Sequence, residues 1–170
     1  MLDFLFRRLT SEPQRGAALF AAVTRLAREP HWFVEGRVPD TLDGRFAVLA
    51  TVTALALVRM ESEGEAGNVA SVALTERFIE VMESEHRELG LGDPTLGKTV
   101  RKLVGSLARR TALWRSTLGD GARWETATRE SLYKDAVNSA ALDHSTRALE
   151  RLWKELEAAG LADIEQGRLQ

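Results

Sequence analysis

The stretch from Thr41 to Met60, TLDGRFAVLATVTALALVRM, is the most apolar in the chain. Its Thr and Val residues are common in strands, but its length and alanine content favour a helix that is buried nearly all round. Its apolar centre, Phe46 to Val58, is shorter than the roughly 20 residues that a membrane-spanning helix needs. Other helices must therefore surround this segment, and the sequence predicts a helical bundle built around it.

Amphipathic segments on both sides of this stretch can supply the surrounding helices. Ser11 and Pro13 are residue types that begin a helix, and Pro30 ends it and starts one further helical turn. A break is expected at Gly64–Asn68. Later helices are expected at about Val69–Leu89, Pro94–Leu118, Ala122–Val137 and Leu142–Ala158. The apolar stripe of the first of these contains Val72, Phe78, Ile79, Met82 and Leu89. We therefore predict an all-α fold, a single-domain bundle of about six helices that spans residues 11–170 around a buried central helix.

Residues 1–10 form a separate amphipathic segment. Its apolar side has Leu2, Leu5, Phe6 and Leu9, with Arg7 and Arg8 beside them. Such a segment either packs on its own domain or binds an anionic bilayer surface. It has neither the long apolar centre nor the small-residue cleavage site of a signal peptide. We expect a soluble protein that is at most peripheral to a membrane.

Residues 92–99, GDPTLGKT, match the phosphate-loop pattern G-x-x-x-x-G-K-[ST]. A phosphate loop that binds nucleotide follows a buried β-strand, so that backbone N–H groups and the helix dipole point at the phosphates. Here the preceding residues, EVMESEHRELGL, are charged and helix-periodic, and Pro94 removes one backbone donor. We interpret Gly90 and Gly92 as the end of one helix and Asp93 as the start of the next, and we expect no bound nucleotide.

The segment from Pro94 to Gly119 has no acidic residue and six basic ones. Four of its cations share one broad face of the predicted helix: Lys98, Arg101, Lys102 and Arg109. The opposite face is apolar: Val100, Leu103, Val104, Leu107, Trp114 and Leu118. Two interpretations stay open. The cations either pair with acids of the preceding helix or bind an anionic partner, such as RNA, lipid headgroups or an acidic protein. The acids in question are Glu76, Glu80, Glu83, Glu85 and Glu88. Aromatic residues are sparse on the basic face, so recognition of a specific nucleic acid is not expected.

Residues that could carry catalysis are isolated in the sequence. The chain has no cysteine, which excludes disulfides, thiolate metal sites and covalent haem attachment. His31, His86 and His144 have no metal-ligand spacing, and His86 fits a partly buried structural role. Asp40 or Thr41 suits the N-cap of the central helix, and Asp43 its first turn. We expect no enzymatic activity, no metal and no resident cofactor. A transient contact with haem stays open.

Two motifs carry a resemblance to a known family. VPDTLDGRF leads into the apolar helix, and RELGLGD ends a later helix that is followed by a lysine-bearing helix. Together they resemble the ubiquinol–cytochrome c chaperone family, whose pattern has V-P-D-T-x-D-G-R-F and R-E-x-G-[VL]-G-D. The matching positions include Val38, Pro39, Asp40, Thr41, Asp43, Gly44, Arg45, Phe46, Arg87, Glu88, Gly90, Gly92, Asp93, Lys98 and Lys102.

The resemblance implies a non-enzymatic assembly factor that binds newly made cytochrome b for the cytochrome bc complex. It also implies that the basic helix faces a ribosome near its tunnel exit or an anionic membrane surface. The first residues lack the Arg- and Ser-rich composition of a mitochondrial transit segment, which favours a bacterial member at the cytoplasmic face of the inner membrane. The family's later aromatic motifs are altered here, and Trp114 and Tyr133 are the candidates for client contact. A ribosome- or RNA-associated factor and a haem- or small-ligand-binding domain are the alternative functions.

Overall fold

The computed structural model describes residues 16–90, 92–120 and 123–169, although the side chains of residues 93 and 120 lie outside this description. All regular structure in these ranges is helical, so the predicted all-α, single-domain fold is confirmed. The eight helices are α1 (Ala17–Ala27), α2 (His31–Val34), α3 (Leu42–Glu61), α4 (Gly64–Glu88), α5 (Asp93–Asp120), α6 (Trp124–Leu132), α7 (Ser139–Ala158) and α8 (Leu161–Glu165). The predicted segment 1–10 and the predicted helix start at Ser11 and Pro13 lie outside the described residues.

Helix α3 is the centre of the bundle, as its apolar sequence predicts. Every residue from Ala50 to Leu57 is buried, and eight consecutive residues point in all directions around a helix. Helices α1, α4, α5, α6 and α7 pack against it. Burial on every side gives α3 the largest share of the apolar contacts that stabilise the fold.

The two buried threonines of α3 are compatible with this apolar setting because their hydroxyls are satisfied within the helix. Thr51 Oγ1 donates to the Ala47 carbonyl at 2.7 Å, and Thr53 Oγ1 donates to the Leu49 carbonyl at the same distance. Each bond removes an unpaired polar group from the core without needing a partner on another helix.

Arg59 joins the end of α3 to the end of α7. Its Nε donates to the Leu156 carbonyl at 2.8 Å and its Nη2 to the Ala159 carbonyl at 3.0 Å, while Glu63 Oε1 lies 2.6 Å from Nη1. The last carbonyls of a helix have no intrahelical partner and carry partial negative charge, which a guanidinium satisfies. The Arg59 side chain is only 11% exposed, so these bonds form largely out of water.

Several predicted boundaries are wrong. Gly64 has a φ of +61° and begins α4 directly, so the expected break at Gly64–Asn68 is only a tight turn before it. Helix α6 ends at Leu132, not Val137, because Tyr133 turns into an extended conformation. Helix α7 begins earlier than Leu142, since Asn138 Oδ1 caps it by accepting from the Ala141 amide at 2.8 Å. Helix α8 was not predicted.

The predicted apolar stripe of α4 is confirmed for Phe78 and Met82 and wrong for Val72 and Leu89. Its buried residues are Gly67, Ala70, Leu74, Phe78 and Met82. Val72 and Leu89, which the prediction placed on the apolar stripe, are 56% and 63% exposed. The small residues Gly67 and Ala70 allow close packing at the start of α4, so the buried face follows them and leaves Val72 outside.

In the part of the chain that the structure describes, no helix combines the length and hydropathy needed to cross a bilayer.

We expect the Arg59→Met substitution to lower the free energy of unfolding by about 2–3 kcal/mol, because the α7 carbonyls lose charged donors in a mostly dry site. Urea unfolding followed by circular dichroism measures this change. Arg45→Met is the control, since the exposed Arg45–Asp40 pair is expected to contribute less than about 1 kcal/mol. Equal effects of the two substitutions would contradict the role assigned to Arg59.

Candidate partner-binding surfaces

The first family-like motif builds the N-terminal end of α3. Thr41 is the N-cap, and its Oγ1 accepts a hydrogen bond from the Gly44 amide at 3.2 Å. A Cβ on Gly44 would lie 1.9 Å from the Pro39 carbonyl oxygen, so only glycine fits where the incoming chain crosses the helix. Val38 is buried. The expected capping role is thus confirmed for Thr41, and these residues are structural.

The charged residues of this motif form exposed ion pairs at the same end of the bundle. Arg45 Nε donates to Asp40 Oδ1 at 2.6 Å, and Lys134 Nζ, after α6, donates to Asp43 Oδ2 at 2.5 Å. The hydrogen bond from Arg45 lowers the pKa of Asp40 below its ordinary value. The bond from Lys134 lowers the pKa of Asp43 in the same way, with a smaller contribution from the charge of Lys102. Lys102 of the basic helix is therefore near the α3 N-terminus.

Tyr133 ties together three segments beside this motif. Its hydroxyl lies 2.6 Å from the Gly36 carbonyl, to which it donates, and 2.7 Å from Ser145 Oγ on α7. Burial raises the pKa of Tyr133, and the bond with Ser145 partly offsets that effect. The hydroxyl is thus used in the framework, while the half-buried ring lines a shallow groove of about 130 Å³. The groove residues are Arg37, Pro39, Tyr133, Lys134, Asp135, Ala136, Val137 and Asn138.

Two large apolar side chains are exposed within three residues, along the chain, of the groove residues Arg37 and Pro39. Leu42, the first residue of α3, is 73% exposed, and Val34, the last residue of α2, is 60% exposed. Pro39, Ala136 and Val137 add apolar surface within the groove. Exposed apolar residues of this kind mark interaction sites when they cluster. We call Val34, Leu42 and the groove residues the motif-end surface.

Trp114 does not belong to any exposed surface, which corrects its assignment as a client contact. It is 0% exposed, and its ring centroid lies 5.1 Å from that of Trp124. The indole Nε1 has no hydrogen-bond partner among the described residues. Trp114 is a core residue between α5 and α6.

The basic face of α5 is present as predicted. Lys98, Arg101, Lys102 and Arg109 are all exposed, while Val100, Leu107 and Trp114 on the other side are buried. Within the described ranges, no ion pair joins any of these four cations to a carboxylate. The interpretation that acids of α4 pair with them inside the chain is therefore wrong for the described side chains.

The two other cations of α5 have partners within the bundle. Arg110 donates to the Ser131 carbonyl at the end of α6, at 2.8 Å, and its guanidinium carbon lies 6.0 Å from the Phe46 ring centroid. Burial lowers the pKa of Arg110. Arg115 Nε bonds Glu61 Oε2 at 2.7 Å at the end of α3. The six basic residues thus divide into two that fasten α5 and four that face outward.

The turn before α5 carries the second family-like motif. Helix α4 ends at Glu88, and Gly90 has a φ of +84°, the left-handed conformation that commonly ends a helix. Gly92 is exposed and precedes α5, whereas the Asp93 side chain lies outside the described residues. No strand leads into GDPTLGKT in the described residues before it; α4 ends at Glu88, and residues 93–99 of this stretch are the start of α5.

His31 and His144 come together, which the sequence did not indicate. His31 Nδ1 lies 3.1 Å from His144 Nε2, and His31 Nε2 lies 3.1 Å from Glu29 Oε2. With a proton on His31 Nε2, Nδ1 accepts from His144. Burial lowers the pKa of His31, His144 adds to this lowering, and Glu29 opposes it. The described residues contain no group of three or more ligands that could hold a metal ion.

His86 has the structural role predicted for it. It is half-buried, and its Nδ1 lies 2.8 Å from the Met82 carbonyl one turn earlier in α4.

Gly44→Ala is expected to lower the free energy of unfolding by about 1–3 kcal/mol, because the new methyl group collides with the Pro39 carbonyl. The matched control is Gly97→Ala in α5, where no described residue outside the adjacent turns of the helix lies within 4 Å of the new methyl group and helix propensity favours alanine. Thermal melts should therefore move in opposite directions, and a shared direction would refute this explanation of Gly44.

The chain should lose stability as the pH falls below about 6.5. Because the folded pKa of His31 is lowered from 6.5, the unfolded chain takes up the proton first. The stabilising effect is thus complete above 6.5 and disappears as the pH falls through the folded value. His31→Phe should show a smaller loss between pH 7.5 and 5.5 in urea unfolding. The same pH dependence in both proteins would contradict this origin.

Comparison with known proteins identifies the family. The sequence matches the family model described as ubiquinol-cytochrome C chaperone over residues 34–169, which extend from the motif-end surface through α8. The chain belongs to this family. Its fold is similar to that in the crystal structure of the Cbp3 homolog from Brucella abortus, with a TM-score of 0.78 and 23% sequence identity over 100% of this chain and 96% of that chain. No curated protein matched significantly.

Proposed function

We propose that this member of the ubiquinol-cytochrome C chaperone family binds newly made cytochrome b and holds it for assembly into the cytochrome bc complex. The family match over residues 34–169 carries this proposal, because it covers both surfaces described above. The function is non-enzymatic: the protein acts by sheltering a client and releasing it. The cytoplasmic face of a bacterial inner membrane is the proposed place of action.

The motif-end surface is the proposed client site. A newly made membrane protein exposes apolar segments, and their burial against Leu42, Val34 and the groove would be favourable by about 25 cal/mol per Å². Tyr133 and Pro39 are held by hydrogen bonds and by packing, so the groove is formed before the client arrives. A preformed site loses little conformational entropy on binding.

The basic face of α5 is the proposed contact with an anionic surface. Four exposed cations without acidic partners in the described chain are the observation that supports this role. A ribosome near its tunnel exit and an anionic bilayer both have the matching charge, and binding to either should weaken as salt is added. Near the N-terminus of α3, Lys102 brings this face close to the motif-end surface.

Leu42→Asp should reduce the recovery of cytochrome b with the tagged protein by about tenfold or more. The charged side chain prevents burial of an apolar client segment at this position, and one buried leucine contributes roughly 1.5–3 kcal/mol. The thermal midpoint should stay unchanged because Leu42 is exposed. Affinity purification from cells, followed by immunoblotting for cytochrome b, measures the effect.

Val69→Asp is the matched control for this experiment. Val69 is also an exposed apolar residue, but it lies near the start of α4, at the opposite end of the bundle from Leu42.

Failure of the wild-type protein to recover cytochrome b, together with normal cytochrome bc complex in a deletion strain, would refute the proposed client. Loss of RNA retention in Lys98→Glu/Arg101→Glu/Lys102→Glu with normal complex assembly would favour an RNA- or ribosome-associated function instead.

A further inference from the structure

Helices α4 and α5 form a hairpin whose two outer faces have opposite charge. A short turn joins them and they pack against each other, which makes them antiparallel neighbours. The outer face of α4 has Val69, Val72, Glu76, Glu80 and Glu83, opposite its buried stripe. The outer face of α5 has Lys98, Arg101, Lys102, Gly105, Ala108, Arg109 and Ala112. In the described residues no ion pair connects the two helices.

The order of residues along the two faces is complementary. Counted outward from Gly90, Glu83 and Lys98 lie at nearly equal distances along the chain, as do Glu80 and Arg101. Further from the turn, Val72 is level with Ala108, and Val69 with Ala112. Near the turn, acids on α4 thus correspond to cations on α5, and further from it the exposed valines correspond to small residues, while Glu76 is level with Gly105 and Arg109 with Val72.

From this pattern we propose that two copies of the chain pair through the α4–α5 hairpin. A twofold axis parallel to the helices places α4 of each copy on α5 of the other in antiparallel orientation. The acidic part of α4 in each copy then contacts the basic part of α5 in the other copy. The same contact is formed twice, as a self-complementary interface requires. A twofold axis across the helices would instead stack α4 on α4 and bring like charges together.

The small residues of α5 support this arrangement. Gly105 lies on the exposed face of α5, inside the helix, where glycine is less favourable than alanine. Apart from the neighbouring turns of α5 itself, no described residue comes within 4 Å of a Cβ at this position, so packing among the described residues does not require glycine. With Ala108 and Ala112, it leaves small residues on the part of the α5 outer face that is level with Val69 and Val72, which are 44% and 56% exposed.

The pairing goes beyond the proposed function, since it needs no client. It occupies the same four cations that would contact an anionic surface, so a copy in the dimer cannot bind that surface through α5. Glu80 keeps its exposed contact with Arg77 at 3.1 Å, which is weak enough to be exchanged.

Charge reversal tests the pairing with the full chain. Sedimentation at about 50 mM salt should show a dimer, and the dimer should weaken as salt screens the charges. Lys98→Glu/Arg101→Glu/Lys102→Glu and Glu76→Lys/Glu80→Lys/Glu83→Lys should each weaken dimerisation by about a hundredfold, given several reversed pairs at two symmetric contacts. An equimolar mixture of the two variants should form a one-to-one dimer again, since each reversed face meets its complement.

Other results overturn the pairing. A monomeric wild-type protein would do so, whether or not it binds anionic phospholipid vesicles, and vesicle binding would then assign the cations to a bilayer. Unchanged dimerisation of the two variants would place the interface elsewhere. A mixture that stays monomeric while both variants keep wild-type helicity in circular dichroism would remove charge complementarity as the cause. None of these results depends on cytochrome b, so the proposed function would be unaffected by them.

Discussion

The enclosure of α3 is the constraint on which the rest of the structure depends. A helix without a polar face is stable in water only when other helices cover all of it, and five helices pack against α3. Its hydroxyls bond within the helix, Thr41 caps its first turn, and Arg59 links its last turn to α7. The surrounding helices turn their apolar faces towards α3 and their polar faces outward. The surfaces available to partners are therefore the outward faces of these helices and the ends of the bundle.

Sequence periodicity predicted the enclosed helix and the two faces of α5, because both depend on residue types within one helix. It did not predict the contacts that depend on packing between segments that are distant in the chain. His31 and His144, or Arg59 and the carbonyls of Leu156 and Ala159, are far apart in the chain, and no spacing rule relates them. Trp114 was misassigned for the same reason, since an aromatic residue on an apolar helix face fits a core as well as a client site.

The six cations of α5 show how one charged helix can have two kinds of contact. Arg110 and Arg115 fasten the helix to α6 and α3, while the other four lie outside. Of the outer four, Lys102 is near Asp43, which is adjacent to Leu42 of the motif-end surface. The two proposals together predict that location and oligomeric state are coupled, because the partner copy and an anionic surface would compete for one set of charges.

The first motif has a consequence for how relatives should be interpreted. Thr41 caps the helix, and Gly44 leaves room for the Pro39 carbonyl where the incoming chain crosses it. Asp40, Asp43 and Arg45 form ion pairs. Most residues of the motif therefore have structural roles. Leu42 occupies the one position that the pattern leaves open, and at 73% exposure it is the most exposed large apolar residue in the described part of the chain. The presence of the motif therefore indicates membership of the family but does not identify the client. The proposed client site therefore predicts that exchanging Leu42 alone changes the preference for a client while the architecture stays intact.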